Sequence, residues 1–147
     1  MQTKNIYLAT SPTEAKKFDT EEIRKRFLIS PIFSPDNITI YYTTYDRYVV
    51  GGVQPVNKPV QLDVIDELRS DYFLERRELG IINIGQTGIV KVDGTAYTLE
   101  NQEALYVGRG VKNVVFENYS GLSPLFYFNS TPAVSYTHLR AHETRVH

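Results

Sequence analysis

The densest cluster of charged side chains in the sequence is Glu75-Arg76-Arg77-Glu78. Side chains two positions apart on a strand share a face, so Glu75 falls with Arg77 and Arg76 falls with Glu78. Each face would then carry a carboxylate beside a guanidinium, a combination able to grip a sugar acid. Arg76 and Glu78 are therefore candidate substrate-binding residues. A solvated or inter-subunit ion-pair network is the commoner use of such a cluster and stays as the alternative.

A second set of candidate residues combines tyrosines with charged groups. Its members are Tyr41, Tyr42, Tyr45, Asp46, Arg47 and Tyr48. Phenolic hydroxyls next to an arginine can line a wall that binds a polyol, which makes Arg47 a candidate substrate-binding residue. The alternative is that these tyrosines are half-buried strand residues whose hydroxyls reach water.

Metal and thiolate chemistry is restricted by where histidine and cysteine occur. Cysteine is absent, and the three histidines are His138, His142 and His147. His138 and His142 have a spacing that can hold zinc on a helix, but residues 134–144 resemble one reading frame of a transposon adapter used for sequencing libraries. We interpret residues 134–147 as a non-native, adapter-derived tail that packs against nothing. We expect no imidazole or thiolate metal site in residues 1–133.

Length and charge restrict the number of domains and the kinds of binding partner that are possible. The 147 residues are enough for one compact domain, which we assign to residues 1–133. Lys and Arg total 16 against 17 for Asp and Glu, so the net charge of -1 provides no broad positive field for nucleic acid. No apolar run has the length of a signal peptide or a membrane span. We expect a cytoplasmic protein without a nucleic-acid or membrane partner.

The local patterns predict an all-β chain with one short amphipathic helix. Asp19 is a candidate N-cap for a helix over residues 20–28, because Glu22 follows it at capping-box spacing. From Ile38 onward, short β-branched and aromatic segments are separated by glycine-rich turns, and Asp93-Gly94 predicts a tight hairpin. This spacing predicts an antiparallel β-sandwich or small barrel.

Three further segments have local patterns that bear on the fold. Gly51-Gly52 predicts a bulge or sharp bend between short strands. Tyr72-Phe73-Leu74 is assigned as a strand because of its aromatic content. Residues 62–69 fit either a helical turn or a loop, and the pattern does not choose between them.

Several segments together resemble a known enzyme family. They are Asp46-Arg47, Val50-Gly51-Gly52, Pro55-Val56, Tyr72 to Gly85 and Ala104 to Gly110. The chain is similar, from about Lys16 to Ala133, to the N-terminal half of the 5-dehydro-4-deoxy-D-glucuronate isomerase family of pectin breakdown. The resemblance implies a cupin (RmlC-like) fold and a bacterial, cytoplasmic, zinc-dependent enzyme made of two cupin halves. It also implies a sugar-acid substrate and, at full length, a homo-oligomer.

The resemblance also implies where metal ligands would fall. The family's zinc ligands belong to its C-terminal half, in a His-x-His-x4-Glu motif and a later His. Matching Glu75-Arg76-Arg77 to the corresponding segment of that half places Tyr72, Leu74, Leu79 and Asn113 at the four ligand positions. None of these is a usual zinc ligand. We therefore expect no cofactor in this chain, with zinc held only by the other half.

The resemblance leads to one main hypothesis and two alternatives. The main hypothesis is a part of the ketol-isomerase that is inactive alone and needs the missing C-terminal cupin half as its partner. We expect exposed apolar residues for that half among Tyr119, Leu122, Leu125 and Tyr127. The alternatives are a stand-alone cupin module that binds a uronate or scaffolds an assembly, and a relative of the 5-deoxy-glucuronate isomerases.

Overall fold

The computed structural model describes residues 1–133 and the backbone of residues 141–145. This part of the chain forms eleven strands, two short α-helices and one 3₁₀-helix. In chain order they are β1 (Gln2–Tyr7), α1 (Pro12–Ala15), α2 (Thr20–Phe27), β2 (Ile38–Thr43), β3 (Val49–Val53), β4 (Val60–Gln61), the 3₁₀-helix (Asp66–Leu68), β5 (Arg77–Asn83), β6 (Gly88–Val92), β7 (Thr95–Leu99), β8 (Glu103–Val107), β9 (Val114–Asn118), β10 (Phe126–Pro132) and β11 (Ala141–Arg145). The predicted all-β class is confirmed.

The strands form two sheets. The larger has seven strands in the order β1-β2-β3-β10-β5-β8-β11, and the smaller has four in the order β4-β9-β6-β7. Every pair of neighbouring strands is antiparallel except β1 and β2, which run parallel. Buried residues from both sheets join one apolar cluster, so the sheets pack face to face as the predicted sandwich.

Strand β5 shows how the sequence pattern produces this packing. Its residues alternate between buried and partly exposed from Arg77 to Asn83, as expected for a strand with one face against a core. Across the sandwich from the larger sheet, Phe116 of β9 packs on Phe126 and Phe128 of β10, with ring centroids 5.4 and 6.2 Å apart. These aromatic contacts join the two sheets.

Two local predictions are confirmed by backbone geometry. The Asp19 carboxylate accepts a 2.9 Å hydrogen bond from the Glu22 backbone N–H and caps α2. Asp93 and Gly94 have φ values of 47° and 87° and connect β6 to β7. Both positive values are those of a type I′ hairpin turn.

Other local predictions are wrong or were left open. Gly51 and Gly52 form no bulge: they lie within β3, where a Cβ on Gly51 would stand 2.7 Å from the Thr39 carbonyl oxygen. Residues 72–74 form a turn rather than a strand, and a 3.3 Å hydrogen bond from the Glu75 N–H to the Tyr72 carbonyl closes it. The undecided segment 62–69 contains the 3₁₀-helix. Strand β1 was not predicted at all.

The C-terminal segment differs from the expectation that residues 134–147 pack against nothing. The backbone of residues 141–145 pairs antiparallel with β8, from Ala141 opposite Val107 to Arg145 opposite Glu103. Strand β8 otherwise ends the sheet, and an edge strand offers unpaired N–H and C=O groups to any extended chain, whatever its side chains. The expectation is therefore wrong for residues 141–145. Residues 134–140 and 146–147, with His138 and His147, lie outside the described residues.

Helices long and apolar enough to cross a membrane are absent from the described part of the chain.

Candidate functional site

The candidate site is built around an arginine at the start of a core strand. Arg77 is the first residue of β5 and pairs with Pro132 of β10. Its side chain lies on the same face of β5 as Leu79 and Ile81, and only 5% of Arg77 is exposed. The Arg77 guanidinium therefore occupies a position on the core face of β5, where an apolar side chain is usual.

Neutral oxygen atoms surround this guanidinium. Arg77 Nε donates to Ser130 Oγ at 3.1 Å, and Nη2 donates to the carbonyl oxygens of Ser130, at 2.9 Å, and of Arg47. The pKa of Arg77 is lowered to about 10, mainly by burial; the nearby Tyr42 opposes this shift, and the positive charge of Arg47 adds to it. The side chain is still a cation at neutral pH.

The turn between β2 and β3 brings Arg47 to Arg77. Asp46 and Arg47 have φ values of 53° and 55°, and the Tyr48 N–H donates to the Tyr45 carbonyl at 3.0 Å. These left-handed residues close the hairpin tightly, and the Arg47 carbonyl then receives the hydrogen bond from Arg77. The Arg47 side chain itself is exposed at the tip of the hairpin.

Arg47 and Arg77 line a pocket of about 270 Å³ between the hairpin, the 3₁₀-helix and the start of β5. Arg69 reaches it from the end of the 3₁₀-helix, in a left-handed conformation with φ 49°. The full lining consists of Tyr42, Arg47, Glu67, Leu68, Arg69, Ser70, Arg76, Arg77 and Pro132. We call this the arginine pocket, after the four arginines among these residues.

The carboxylates at the arginine pocket are already paired. Glu67 forms an ion pair with Lys4, whose ammonium donates a 2.8 Å hydrogen bond to the carboxylate. That hydrogen bond lowers the pKa of Glu67. Glu75, which is not itself a lining residue, pairs with the lining residue Arg76 at 3.3 Å. In the described residues, no ion pair joins Arg47, Arg69 or Arg77 to a carboxylate. The pocket therefore has a local excess of positive charge.

The structure brings together two of the three predicted substrate-binding residues. Arg47 and Arg76 both line the arginine pocket, whereas Glu78 lines a separate, shallow pocket of about 140 Å³ with Tyr106 and Asn129. The predicted sharing of a face by Arg76 and Glu78 is wrong, because Arg76 precedes β5 and strand alternation begins only at Arg77.

The predicted tyrosine wall is also dispersed. Tyr41 is buried and donates to the Pro31 carbonyl at 2.6 Å, and the Tyr45 hydroxyl accepts from the Thr10 N–H at 2.9 Å. Burial, followed by a hydrogen bond with Tyr127, raises the pKa of Tyr48 to about 12. Of these tyrosines, Tyr42 lines the arginine pocket.

The four positions matched to metal ligands do not form a metal centre. Leu74 and Leu79 are 1% and 2% exposed and belong to the apolar core, where they offer no donor atom. Asn113 lies at the surface, where its Oδ1 accepts from Gln61 at 3.3 Å. Tyr72 is half-buried in the turn before β5. Residues 1–133 contain no cluster of three His, Cys, Asp or Glu side chains suited to a metal, and this set does not fit zinc.

Sequence reasoning missed the most buried member of the pocket and one of its exposed members. The charge pattern groups Arg77 with Glu75 and does not indicate Arg69. The signal for Arg77 was present in the alternation from Arg77 to Asn83, since extending the apolar face of Leu79 and Ile81 backwards places Arg77 on it. Nothing in the sequence around Arg69 pointed to the pocket.

Comparison with curated proteins identifies relatives over most of the chain. A 4-deoxy-L-threo-5-hexosulose-uronate ketol-isomerase from Formosa agariphila is 52% identical over 126 residues, which cover 85% of this chain and 45% of that protein. Proteins of the same name are 45% identical in Bacteroides fragilis, over 87% of this chain, and 47% identical in Halalkalibacterium halodurans, over 85%. Each match covers 46% of the relative. The chain thus spans about half the length of these relatives. No family model matches it.

Solved structures give likenesses of fold alone. Protein Ylba from E. coli has a TM-score of 0.51 and 16% identity, over 67% of this chain and 38% of its own. The putative glyoxylate-induced protein from Pseudomonas aeruginosa has a TM-score of 0.50 and 11% identity, over 67% and 34%. A Cupin_2 domain of an XRE family transcriptional regulator from Enterobacter cloacae has a TM-score of 0.47 and 13% identity, over 60% and 84%.

With its two facing sheets, the chain is an all-β sandwich domain, as the sequence predicted. Its curated relatives make the assignment more specific. The chain is homologous to the N-terminal part of the 4-deoxy-L-threo-5-hexosulose-uronate ketol-isomerases, which confirms the resemblance seen in the sequence.

Proposed function

We propose that this chain is the N-terminal, metal-free cupin of an enzyme that interconverts 5-dehydro-4-deoxy-D-glucuronate and 3-deoxy-D-glycero-2,5-hexodiulosonate in the breakdown of pectin-derived uronates. The observation that carries the proposal is the 52% identity to the Formosa agariphila ketol-isomerase over 85% of this chain. Identity at this level across a whole domain supports a common role within a common enzyme. The proposal places the protein in the bacterial cytoplasm.

The reaction moves a proton between adjacent carbons through an enediol. It needs a base and a group that stabilises negative charge on oxygen. A zinc ion held by the other half would supply the second function, because a bound metal polarises a carbonyl. Because Leu74 and Leu79 have no donor atoms and are packed in the core, we assign no metal-dependent step to this chain. We place zinc in the C-terminal cupin half, and we expect this chain to be inactive alone.

Exposed apolar side chains support a partner for this domain. Of the four residues predicted to be exposed, Tyr119 and Leu122 are 44% and 37% exposed, whereas Leu125 and Tyr127 are half-buried. On α2, Ile23 and Phe27 are 44% and 45% exposed, although they lie four residues apart on one face of the helix. Such residues commonly mark protein interfaces. We propose the C-terminal cupin half, together with neighbouring subunits of a homo-oligomer, as the partners that cover them.

Complementation tests this proposal. The chain is expressed with and without the C-terminal half of the Formosa agariphila relative, and isomerisation of 5-dehydro-4-deoxy-D-glucuronate is assayed. We expect no activity from either half alone, and a co-purifying, active complex that contains zinc. The control is a partner half with alanine in place of the His residues of its His-x-His-x4-Glu motif, which should associate without activity.

Two outcomes would contradict the proposal. If the chain stays monomeric by light scattering and ignores the complementary half, a stand-alone cupin module that binds a uronate or scaffolds an assembly replaces it. If the complex instead isomerises 5-deoxy-glucuronate in preference, the chain belongs to that related isomerase.

A further inference from the structure

The arginine pocket contains a buried cation that the protein itself does not neutralise. Arg77 is 5% exposed, and its described hydrogen bonds go to the Ser130 hydroxyl and to two backbone carbonyls. Removing a charge from water carries a large free-energy cost, which buried cations usually offset by pairing with a carboxylate. No carboxylate is described in contact with Arg77 within residues 1–133. The missing counter-ion points to a ligand from outside the chain.

Two further arginines at the pocket also lack a counter-ion within residues 1–133. Arg47 and Arg69 are exposed, line the same pocket and have no ion-pair partner among the described residues. Both have positive φ values, 55° and 49°, in tight turns. Like charges placed together repel one another, so an arrangement that gathers them is stabilised when an anion binds between them.

The acidic residue in the lining does not fill this role. Glu67 is engaged by Lys4, whose ammonium lies 2.8 Å from one carboxylate oxygen and 3.1 Å from the other. This two-fold contact already engages the Glu67 carboxylate, and no ion pair is described between Glu67 and Arg47, Arg69 or Arg77. The charge left over in the pocket is that of Arg47, Arg69 and Arg77, since Arg76 has Glu75.

The size and the remaining lining define the class of ligand. A volume of about 270 Å³ lies just below the range of roughly 300–1,000 Å³ usual for small-molecule pockets, so only a small ligand fits. Tyr42 and Ser70 add hydroxyl groups to the lining. The Ser70 hydroxyl donates to the Leu68 carbonyl at 3.0 Å, and both oxygens can accept hydrogen bonds from the hydroxyls of a sugar. Guanidinium groups bind carboxylates in a planar, two-point arrangement.

We propose that the arginine pocket of this metal-free cupin binds the carboxylate of a small sugar acid of hexuronate size, held by Arg47, Arg69 and Arg77. Anion binding follows from the geometry of the pocket, and the choice of a uronate among small carboxylates rests on the proposed function. The pocket is then a second sugar-acid site of the enzyme, separate from the metal site proposed for the other half.

Isothermal titration of the 147-residue chain at neutral pH and low salt tests this proposal directly. D-glucuronate is the probe, neutral D-glucose is the control sugar and inorganic phosphate is the competing anion. We expect saturable binding of one glucuronate per chain, no binding of glucose, and weaker binding of phosphate. Raising the salt concentration should weaken the binding of glucuronate, because the attraction is between charges.

The variants are made at exposed arginines, because Arg77 also supports the fold. Arg47→Ala and Arg69→Ala should each weaken glucuronate binding about tenfold, the effect of losing one charge-assisted hydrogen bond. Arg24→Ala removes the same charge from the exposed surface of α2, outside the pocket, and should leave the affinity within about twofold. Thermal unfolding of each variant verifies that the fold is retained.

Three results would overturn the proposal: no saturable binding by the unmodified chain, equal binding of glucose, or an equal loss in Arg24→Ala and Arg47→Ala. Phosphate that binds as tightly as glucuronate would overturn the sugar-acid assignment. These measurements need no isomerase activity. If complementation restores activity while glucuronate does not bind, the proposed function stands and the arginine pocket has no such ligand.

Discussion

Arg77 donates a hydrogen bond from its guanidinium to the backbone carbonyl of Arg47, 30 residues earlier in the chain. The bond ties the start of β5 to the tip of the β2–β3 hairpin. It uses the main chain of Arg47, so the Arg47 side chain stays available to the arginine pocket. The bond therefore holds two cations next to one another although they repel each other.

Ser130 is predicted to be necessary for holding Arg77. Its Oγ accepts from Arg77 Nε at 3.1 Å and donates to the Glu78 carbonyl at 2.6 Å. Ser130→Ala removes both bonds and leaves a buried N–H without an acceptor, so we expect the free energy of unfolding to fall by about 1–3 kcal/mol. Urea denaturation followed by tyrosine fluorescence measures the change.

The matched control for Ser130 is Ser123→Ala, the same chemical change at an exposed loop residue. It should alter the free energy of unfolding by less than about 0.5 kcal/mol. Equal effects of the two substitutions would contradict a role for Ser130 in anchoring Arg77.

Gly51 is predicted to tolerate no side chain. A Cβ at this position would overlap the ring of Phe128 and lie 2.7 Å from the Thr39 carbonyl oxygen. Gly51→Ala should therefore lower the free energy of unfolding by about 3 kcal/mol or reduce the soluble yield sharply, because the neighbours are a packed ring and a paired backbone.

The control for Gly51 is Gly80→Ala in β5. The nearest atom to its added Cβ is the Asn129 amide oxygen at 3.4 Å, which is an ordinary contact. This variant should be close to neutral or slightly stabilising, since alanine restricts the unfolded chain. A loss as large as that of Gly51→Ala would mean that strand glycines matter here for a reason other than space.

Leu79 is predicted to act as a core residue and not as a relic of a metal site. It is 2% exposed and packs within the cluster that joins both sheets. Leu79→Ala should cost about 2–5 kcal/mol of stability through lost burial and the cavity left behind. Leu122→Ala, at a leucine that is 37% exposed, should cost much less when both are compared by urea denaturation. A similar small cost for both would place Leu79 outside the core.

Asp36 is predicted to make stability sensitive to acid. Its Oδ1 accepts from the N–H groups of Val56, at 2.8 Å, and Asn57, at 2.9 Å, and these bonds lower its pKa to about 2 from 3.8. The folded state therefore favours the ionised carboxylate. Its contribution is complete above about pH 4 and is lost as the pH falls towards 2.

The variant Asp36→Asn keeps an acceptor oxygen and removes the titration. Its urea midpoint should change less between pH 4 and pH 2 than that of the unmodified chain. Asp63→Asn, at an exposed carboxylate whose side chain has no described hydrogen bond, should leave the acid dependence unchanged. An identical pH profile for Asp36→Asn and the unmodified chain would contradict this role for Asp36.

Several features follow from the sequence because their cause is local. Asp19 caps α2 through a residue three positions away, and Asp93-Gly94 turns the chain within a single hairpin. The run from Tyr72 to Gly85 indicates a resemblance to the ketol-isomerases, and the curated relative from Formosa agariphila is 52% identical over 85% of this chain. The absence of His and Cys from residues 1–133 is a matter of composition, and no tertiary structure can alter it.

Only the tertiary structure decided which charged residues meet. Arg76 is a candidate because of its place in a dense charge cluster, yet Arg77 is the buried cation, because Arg77 begins β5 on the same face as Leu79 and Ile81 while Arg76 precedes the strand. Arg47 and Arg69 reach Arg77 through a hairpin and a 3₁₀-helix that are distant in sequence. The packing of whole strands determines which of these side chains come close together, since a shift of a strand by one residue moves every side chain to the opposite face. The parallel pairing of β1 with β2 likewise depends on residues 36 positions apart, Gln2 and Ile38, and has no local signal.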